Sequence, residues 1–228
     1  MLGFWISALD SSSDSATVHA LQGELMQAVL REFDMDGLKL FSLGNGPESI
    51  CSWNPTKTIQ GEWTFGVSCH HGVLESLTFH KVRQGNFLIE YLPGTIKQLR
   101  LTECQQRYQV RTRMLPKSAT NISLKGNAIH GTIDLQSLPL NLEELILREN
   151  RLVGPIELIE LPANLTKLDL SYNSIQQKVV YYDLLPSRLQ HVFLAQNKIS
   201  EIRPLTAESG TTINCEFHGS MKVIEDSE

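Results

Sequence analysis

Residues 115–173 write one phrase three times at a spacing of 23 residues. The first copy reads Leu115-Pro116, Ile122, Leu124, Asn127, Ile129, Gly131, Ile133, Leu135. The second reads Leu138-Pro139, Leu142, Leu145, Leu147, Asn150, Leu152, Gly154, Ile156, Leu158. The third reads Leu161-Pro162, Leu165, Leu168, Leu170, Asn173, Ile175. A fixed period of about 20–50 residues marks a stacked solenoid, in which each unit buries its apolar side only against its neighbours. Outward from this stretch the phrase weakens. Leu92-Pro93, Ile96, Leu99, Leu101 and Cys104 form a unit upstream. Leu185-Pro186, Leu189, Val192, Leu194, Asn197 and Ile199 form one downstream, after a single inserted residue. Leu74, Leu77 and Phe79, followed by Gly85, Phe87 and Ile89, make a degenerate first unit. Cys215 and Phe217 fall 23 residues after Val192 and Leu194, which predicts a last strand there. The total is about five to six units, above the roughly three that a stack needs to bury a continuous core.

Each unit carries its own local logic. Ile122-Ser123-Leu124 and its equivalents alternate apolar and polar, which is strand periodicity. The apolar pair points into the stack and the residues between point out, so each unit adds one strand to a parallel sheet. Asn127, Asn150, Asn173 and Asn197 follow each strand by one turn, and Cys104 holds the same position in the earlier unit. An inward amide there satisfies backbone groups that would otherwise be buried unpaired. The second half of a unit, as in Gly131 to Pro139, alternates again and is too short for a helix. An extended or 3₁₀ backbone is expected.

The core of each copy, L-x-x-L-x-L-x-x-N-x-L, resembles the leucine-rich repeat. Its G-x-I tail is similar to the plant extracellular and some protozoan surface types. The resemblance implies an α/β, β-rich fold: a curved solenoid with a parallel β-sheet on the concave face, an N-terminal helical cap and a short C-terminal cap. Upstream, Val18, Leu21, Leu25, Val29 and Phe33 fall on one helical face with Leu30 beside them, and Asp34-Met-Asp-Gly37 ends that helix. Cys51-Ser-Trp53 and Trp63-Thr-Phe-Gly-Val-Ser-Cys69 then resemble the cap that precedes plant-type repeats. Here Trp63 stands one residue further from Gly66-Val67 than in the usual pattern, and the loop between the cysteines is long. The resemblance implies a Cys51–Cys69 disulfide; two unpaired thiols are the alternative. Cys104 and Cys215 fall on inward positions and read as packed thiols. The chain thus divides into a flexible segment (1–11), a capping region (12–72), the repeats (73–212), and a cap strand with an acidic tail (213–228).

Composition narrows the function classes. A net charge of −5 over 228 residues gives no support to nucleic-acid binding. No apolar run reaches the length of a transmembrane helix. Met1–Leu9 is apolar but carries no basic residue before it meets Asp10, which makes a poor signal peptide. The cap cysteines, in contrast, suggest an extracellular or cell-surface setting. No catalytic motif is written: there is no nucleophile elbow, P-loop, zincin helix or dinucleotide fingerprint. His70-His71 beside Cys69 lacks further ligands at a suitable spacing, so no metal and no cofactor are expected. His80 and His191 fall on outward strand positions without a catalytic partner in the same column.

Binding is what the architecture offers. The outward strand positions form rows across the units, and solenoids use such surfaces for partners. Arg100, Lys125, Ile146, Arg148, Asp169, Tyr172 and Phe193 are the candidate contacts, because aromatic and Arg side chains are the usual anchors of interfaces. Arg100, Lys125 and Arg148 on successive strands suggest an acidic partner segment. The expectation is a monomeric, non-catalytic recognition module for a protein or peptide. The alternatives are a surface-coat or adhesive protein and an ectodomain fragment of a larger receptor.

Overall fold

The computed structural model describes residues 15–32, 47–53, 57–59, 63–83, 85–206, 216–220 and 222–223. The lead-in, the helix stop read at Asp34–Gly37, Cys215 and the acidic tail lie outside them. The described residues fall into two compact units.

The first unit opens with helix α1 (Ser15–Val29) and a 3₁₀ turn at Pro47–Ser52. Strands β1 (Lys57–Ile59), β2 (Trp63–His70), β3 (Val73–His80) and β4 (Gln98–Thr102) follow. β1 and β2 pair antiparallel, β2 and β3 pair antiparallel, and β3 and β4 pair parallel. The β2–β3 hairpin turns at His71-Gly72, both at positive φ (50° and 76°). That geometry matches the right-handed twist of the flanking strands. Of the histidine pair, His70 ends β2 and His71 is a turn element, and an antiparallel start to the sheet is a feature that the repeat count does not contain.

Helix α1 buries Gln22, Leu25, Met26, Val29 and Leu30. The buried face is rotated from the expected stripe, since Val18 and Leu21 are only half-buried. Gln22 explains the rotation. Its Oε1 accepts the Leu74 N–H at 2.7 Å, and its Nε2 donates to the Gly72 carbonyl at 3.3 Å. A polar side chain thus ties the helix to the first repeat strand, and the apolar residues one turn on follow it inward. Cys51 and Cys69 form a disulfide that joins the 3₁₀ turn to β2. Phe65, Phe79 and Phe87 fill the core, with ring centroids 6.2 and 4.7 Å apart along the series.

The second unit holds strands β5 (Asn121–Ser123), β6 (His130–Gly131), β7 (Glu144–Ile146), β8 (Arg151–Leu152), β9 (Lys167–Asp169), β10 (Gln176–Tyr182), β11 (His191–Phe193), β12 (Lys198–Pro204), β13 (Glu216–His218) and β14 (Lys222–Val223). One parallel sheet runs β5-β7-β9-β11-β13. A second runs β10-β12-β14, and β6 pairs with β8. On the side away from the main sheet the chain is extended, with 3₁₀ turns at Thr112–Met114 and Leu135–Ser137. Leu145, Leu165, Leu168, Leu170 and Val192 are fully buried between the layers. In β10 the aromatic pair splits as alternation requires: Tyr182 is buried and Tyr181 exposed.

Along β5, β7 and β9 the register follows the 23-residue period: Ile122, Leu145 and Leu168 are successive partners. The last step departs from it. Val192 pairs with Phe217, not with position 215. Two extra residues are taken up before β13, and a shift of two keeps the inward and outward sides unchanged.

The close approach of neighbouring coils sets the G-x-I signature. Gly154 has φ of 82°, and a Cβ there would run into Thr132 Cγ2. Gly131 has φ of 91°, and a Cβ there would come within 2.8 Å of Gln109 Cγ. Both glycines serve positive φ and backbone proximity together.

Candidate functional site

The outward face of the main sheet is built on a turn that recurs after each strand. Lys81, Glu103, Gly126, Glu149, Tyr172 and Gln196 occupy equivalent positions, and all have φ between 55° and 70°. Only Gly126 takes that conformation without a Cβ penalty. Four of these residues donate their N–H across to the next strand: Lys81 to Thr102, Gly126 to Arg148, Glu149 to Ser171 and Tyr172 to Ala195, at 2.8–3.0 Å. The left-handed residue aims its N–H sideways and turns the chain inward for the asparagine that follows.

That asparagine closes the turn. Asn150 Nδ2 donates to the carbonyls of Leu147 in its own coil (3.0 Å) and Leu124 in the coil before (2.9 Å), and Oδ1 accepts the Ile129 N–H (3.1 Å). Asn173 repeats the set with Leu170, Leu147 and Leu152. Asn197 repeats it with Leu194, Leu170 and Ile175. Asn127 donates to Leu124 and Lys125. In the first unit Cys104 Sγ lies 3.4 Å from the Phe79 carbonyl and 3.2 Å from that of Thr102. A thiol has no amide oxygen, and Gln106 supplies one: Oε1 accepts the Phe87 N–H at 2.7 Å while Nε2 donates to Gly85 and Cys104. Gln177 does the same in the second unit, pairing with both the N–H and the carbonyl of Ile156. Gln22, Gln106 and Gln177 went unnoticed in the sequence because no period marks them. Their neighbours give no signal either, since Gln106 stands between Gln105 and Arg107 and Gln177 between Gln176 and Lys178.

On this scaffold the second unit gathers Ile146, Arg148, Asp169, Tyr172 and Phe193. Ile146 pairs with Asp169, and Asp169 with Phe193, on neighbouring strands. The Arg148 guanidinium carbon lies 4.2 Å from the Tyr172 ring centroid. Its Nε donates to Glu149 Oε1 at 2.9 Å and its Nη1 to Ser171 Oγ at 3.2 Å. Ser171 in turn donates both its hydroxyl and its N–H to Asp169 Oδ1. The Glu149 carboxylate raises the Arg148 pKa above its ordinary value, and the Asp169 charge adds to the effect.

Two sequence expectations change here. Asp169 occupies an outward position but is only 7% exposed, with its charge spent on Ser171. It orients the Arg148 support and does not stand free to meet a partner. Lys125 lies 4.0 Å from Glu149, so Lys125 and Arg148 share one carboxylate. Counted with Asp169, that cluster is neutral, which removes the ground for an acidic partner in this unit. Arg100 lies on β4 of the first unit, exposed and opposite Thr78. Phe193 stacks on His218 at 4.3 Å, and Lys167 Nζ lies 5.5 Å from its ring centroid. Among the described residues no helix is long and apolar enough to cross a membrane.

A family model described as Leucine Rich Repeat matches residues 164–182. Comparison with curated proteins finds no match. Among solved structures, a crystal structure of a pollen receptor kinase 3 superposes with a TM-score of 0.55 at 19% identity, over 75% of this chain and 87% of that one. The ectodomain of the receptor kinase SOBIR1 from Arabidopsis thaliana gives 0.43 at 16% identity, over 83% and 95%. A plant ice-binding protein gives 0.43 at 15% identity, over 91% and 87%. The 23-residue strand-and-turn unit, the asparagine column, the matched motif and the first of these superpositions show that the chain has the fold of a leucine-rich-repeat solenoid.

Proposed function

We propose that the protein is a non-catalytic recognition module that binds a protein or peptide through the outward face of its main sheet. The observation that carries this reading is the Arg148–Tyr172 pair. Both side chains are of the types that dominate interface energetics. The guanidinium is held in place before any partner arrives, by Glu149, Ser171 and the Tyr172 ring. Preorganisation of this kind lowers the ordering cost of binding. Ile146 and Phe193 on neighbouring strands add apolar area beside the pair. With the charges of Lys125 and Arg148 offset by Glu149 and Asp169, the face suits a partner that offers apolar and planar hydrogen-bonding groups.

The test is capture and identification of the partner, followed by titration against variants. Arg148→Ala and Tyr172→Ala should each weaken binding by about 1–2 kcal/mol. Glu157→Ala and Gln136→Ala, exposed away from the main sheet, should leave it unchanged. Raising the salt should change affinity little, because the charges are already paired. Loss of binding in the second pair of variants but not the first would overturn the reading.

The Cys51–Cys69 disulfide supports a second element of the reading, an oxidising compartment outside the cytosol. In that setting a surface protein or the ectodomain of a larger receptor uses the same face. Labelling of the intact protein in its native cells with a membrane-impermeant reagent decides between exposed and internal locations.

A further inference from the structure

The sequence expectation of no metal rested on local spacing. In the second unit, β11 and β13 bring three donor side chains together from positions far apart in the chain. His191 and Glu216 are direct partners on these parallel strands, and His218 follows two residues after Glu216. His191 Nδ1 lies 3.2 Å from His218 Nε2. Each of these nitrogens lies 3.5 Å from Glu216 Oε2. The three donor atoms converge on one point instead of fanning out along the strands.

The size of the triangle is informative. A tetrahedral ion with bonds of about 2.0–2.1 Å sets its ligand atoms roughly 3.3–3.4 Å apart. The three observed edges bracket that value. Two imidazole nitrogens and one carboxylate oxygen are a donor set that zinc accepts, and three protein ligands leave a fourth corner open to water or an incoming group. The rings are also positioned from behind: Phe193 stacks on His218 at 4.3 Å with 11° between planes. Both histidines are half-buried and Glu216 is exposed, so an ion reaches the triangle without the fold opening.

We propose that His191, Glu216 and His218 form a zinc site at the last two strands of the main sheet. The site joins β13, which lies off the 23-residue period, to β11 through a bond other than the strand ladder. It stands independently of whether the sheet face binds a protein.

The experiment uses the full chain, prepared without an affinity tag rich in histidine and stripped with a chelator. Titration with zinc followed by calorimetry should show one ion per chain at micromolar or tighter affinity. Cobalt(II), used as a coloured substitute, should develop the intense visible bands of tetrahedral coordination. His191→Ala, His218→Ala and Glu216→Gln should each weaken zinc binding at least tenfold, whereas His70→Ala and His71→Ala together should not. Glu216→Gln changes one exposed side chain and so separates loss of a ligand from loss of fold. Absence of zinc binding, binding by the three variants as tight as that of the unaltered protein, or a weak octahedral cobalt spectrum would each overturn the proposal.

Discussion

Asn150 makes four hydrogen bonds to the backbone with one side chain, three given to the Leu124, Leu147 and Arg148 carbonyls and one received from the Ile129 N–H. Asn150→Ala leaves the Leu124 and Leu147 carbonyls and the Ile129 N–H buried without this partner. The expected loss is about 1–3 kcal/mol in denaturant melts. Cys104 shows that the slot also tolerates a thiol, so Asn150→Cys should lose less than alanine does. A second residue-scale prediction concerns Gly154. Gly154→Ala combines an unfavourable positive φ with a clash on Thr132 Cγ2, and should cost more than Gly131→Ala, whose obstacle is the flexible Gln109 side chain. Thr132→Ser removes the obstructing methyl. The Gly154→Ala loss should therefore shrink in that background, by about 0.5 kcal/mol or more in a double-mutant cycle. Cys104 itself offers a pH test. Burial pushes its thiol from the ordinary 9.0 up to about 11, so the folded state prefers the neutral form. That contribution is complete below pH 9 and is lost as pH rises from about 9 to about 11. Alkylation at pH 8 should be slow until the protein unfolds. Rapid alkylation of Cys104 in the folded protein, located by peptide mapping, would contradict the buried placement.

At the scale of the element, legibility follows periodicity. Strands β5, β7, β9 and β11 were readable because leucines repeat at fixed positions and each strand has a buried side. Helix α1 was readable as a helix with Leu25, Val29 and Leu30 inward, but Gln22 and Met26 on the same buried face were not. An apolar count passes over Gln22, while the structure uses it to bond Leu74 and Gly72. The His71-Gly72 turn was legible only as a histidine pair, because φ is not written in the residue type. The period places Ile146, Arg148, Tyr172 and Phe193 on the outward side, but it does not show the bonds that Glu149 and Ser171 make to Arg148. Asp169 was placed on the right side with the wrong exposure, since a row position says nothing about what a neighbouring strand lays over it. The cap disulfide, implied by family resemblance alone, yields an element-scale prediction. It closes a loop of sequence separation 18, and its reduction should cost about 3 kcal/mol. Hydrogen exchange at Leu74, whose amide is held by Gln22, should then accelerate. An unchanged rate would show that the helix contact stands without the bond.

At the scale of the whole molecule, the same few bonds recur from coil to coil of the second unit. In each of the middle coils an asparagine amide reaches back to the preceding leucine carbonyl, a left-handed residue reaches forward to the next strand, and a leucine packs between its counterparts. Such stacks gain stability as a sum of unit and neighbour terms. The Arg148–Tyr172 pair lies on the solvent side of the sheet, with Tyr172 45% exposed, so its variants bear on recognition more than on the buried stack. Both should leave thermal stability within about 0.5 kcal/mol, as surface changes usually do.

The recurring register makes chain length a free variable for this architecture. A segment of 23 residues, cut or copied between equivalent leucines such as Leu145 and Leu168, removes or adds one coil and returns every donor to an equivalent acceptor. Within the second unit this freedom stops at β13, which sits two residues out of phase. Unequal crossing-over within the gene would therefore change the number of coils in the second unit, and a segment cut or copied from Leu145 to Lys167 would carry Arg148 with it while Tyr172 stays in place.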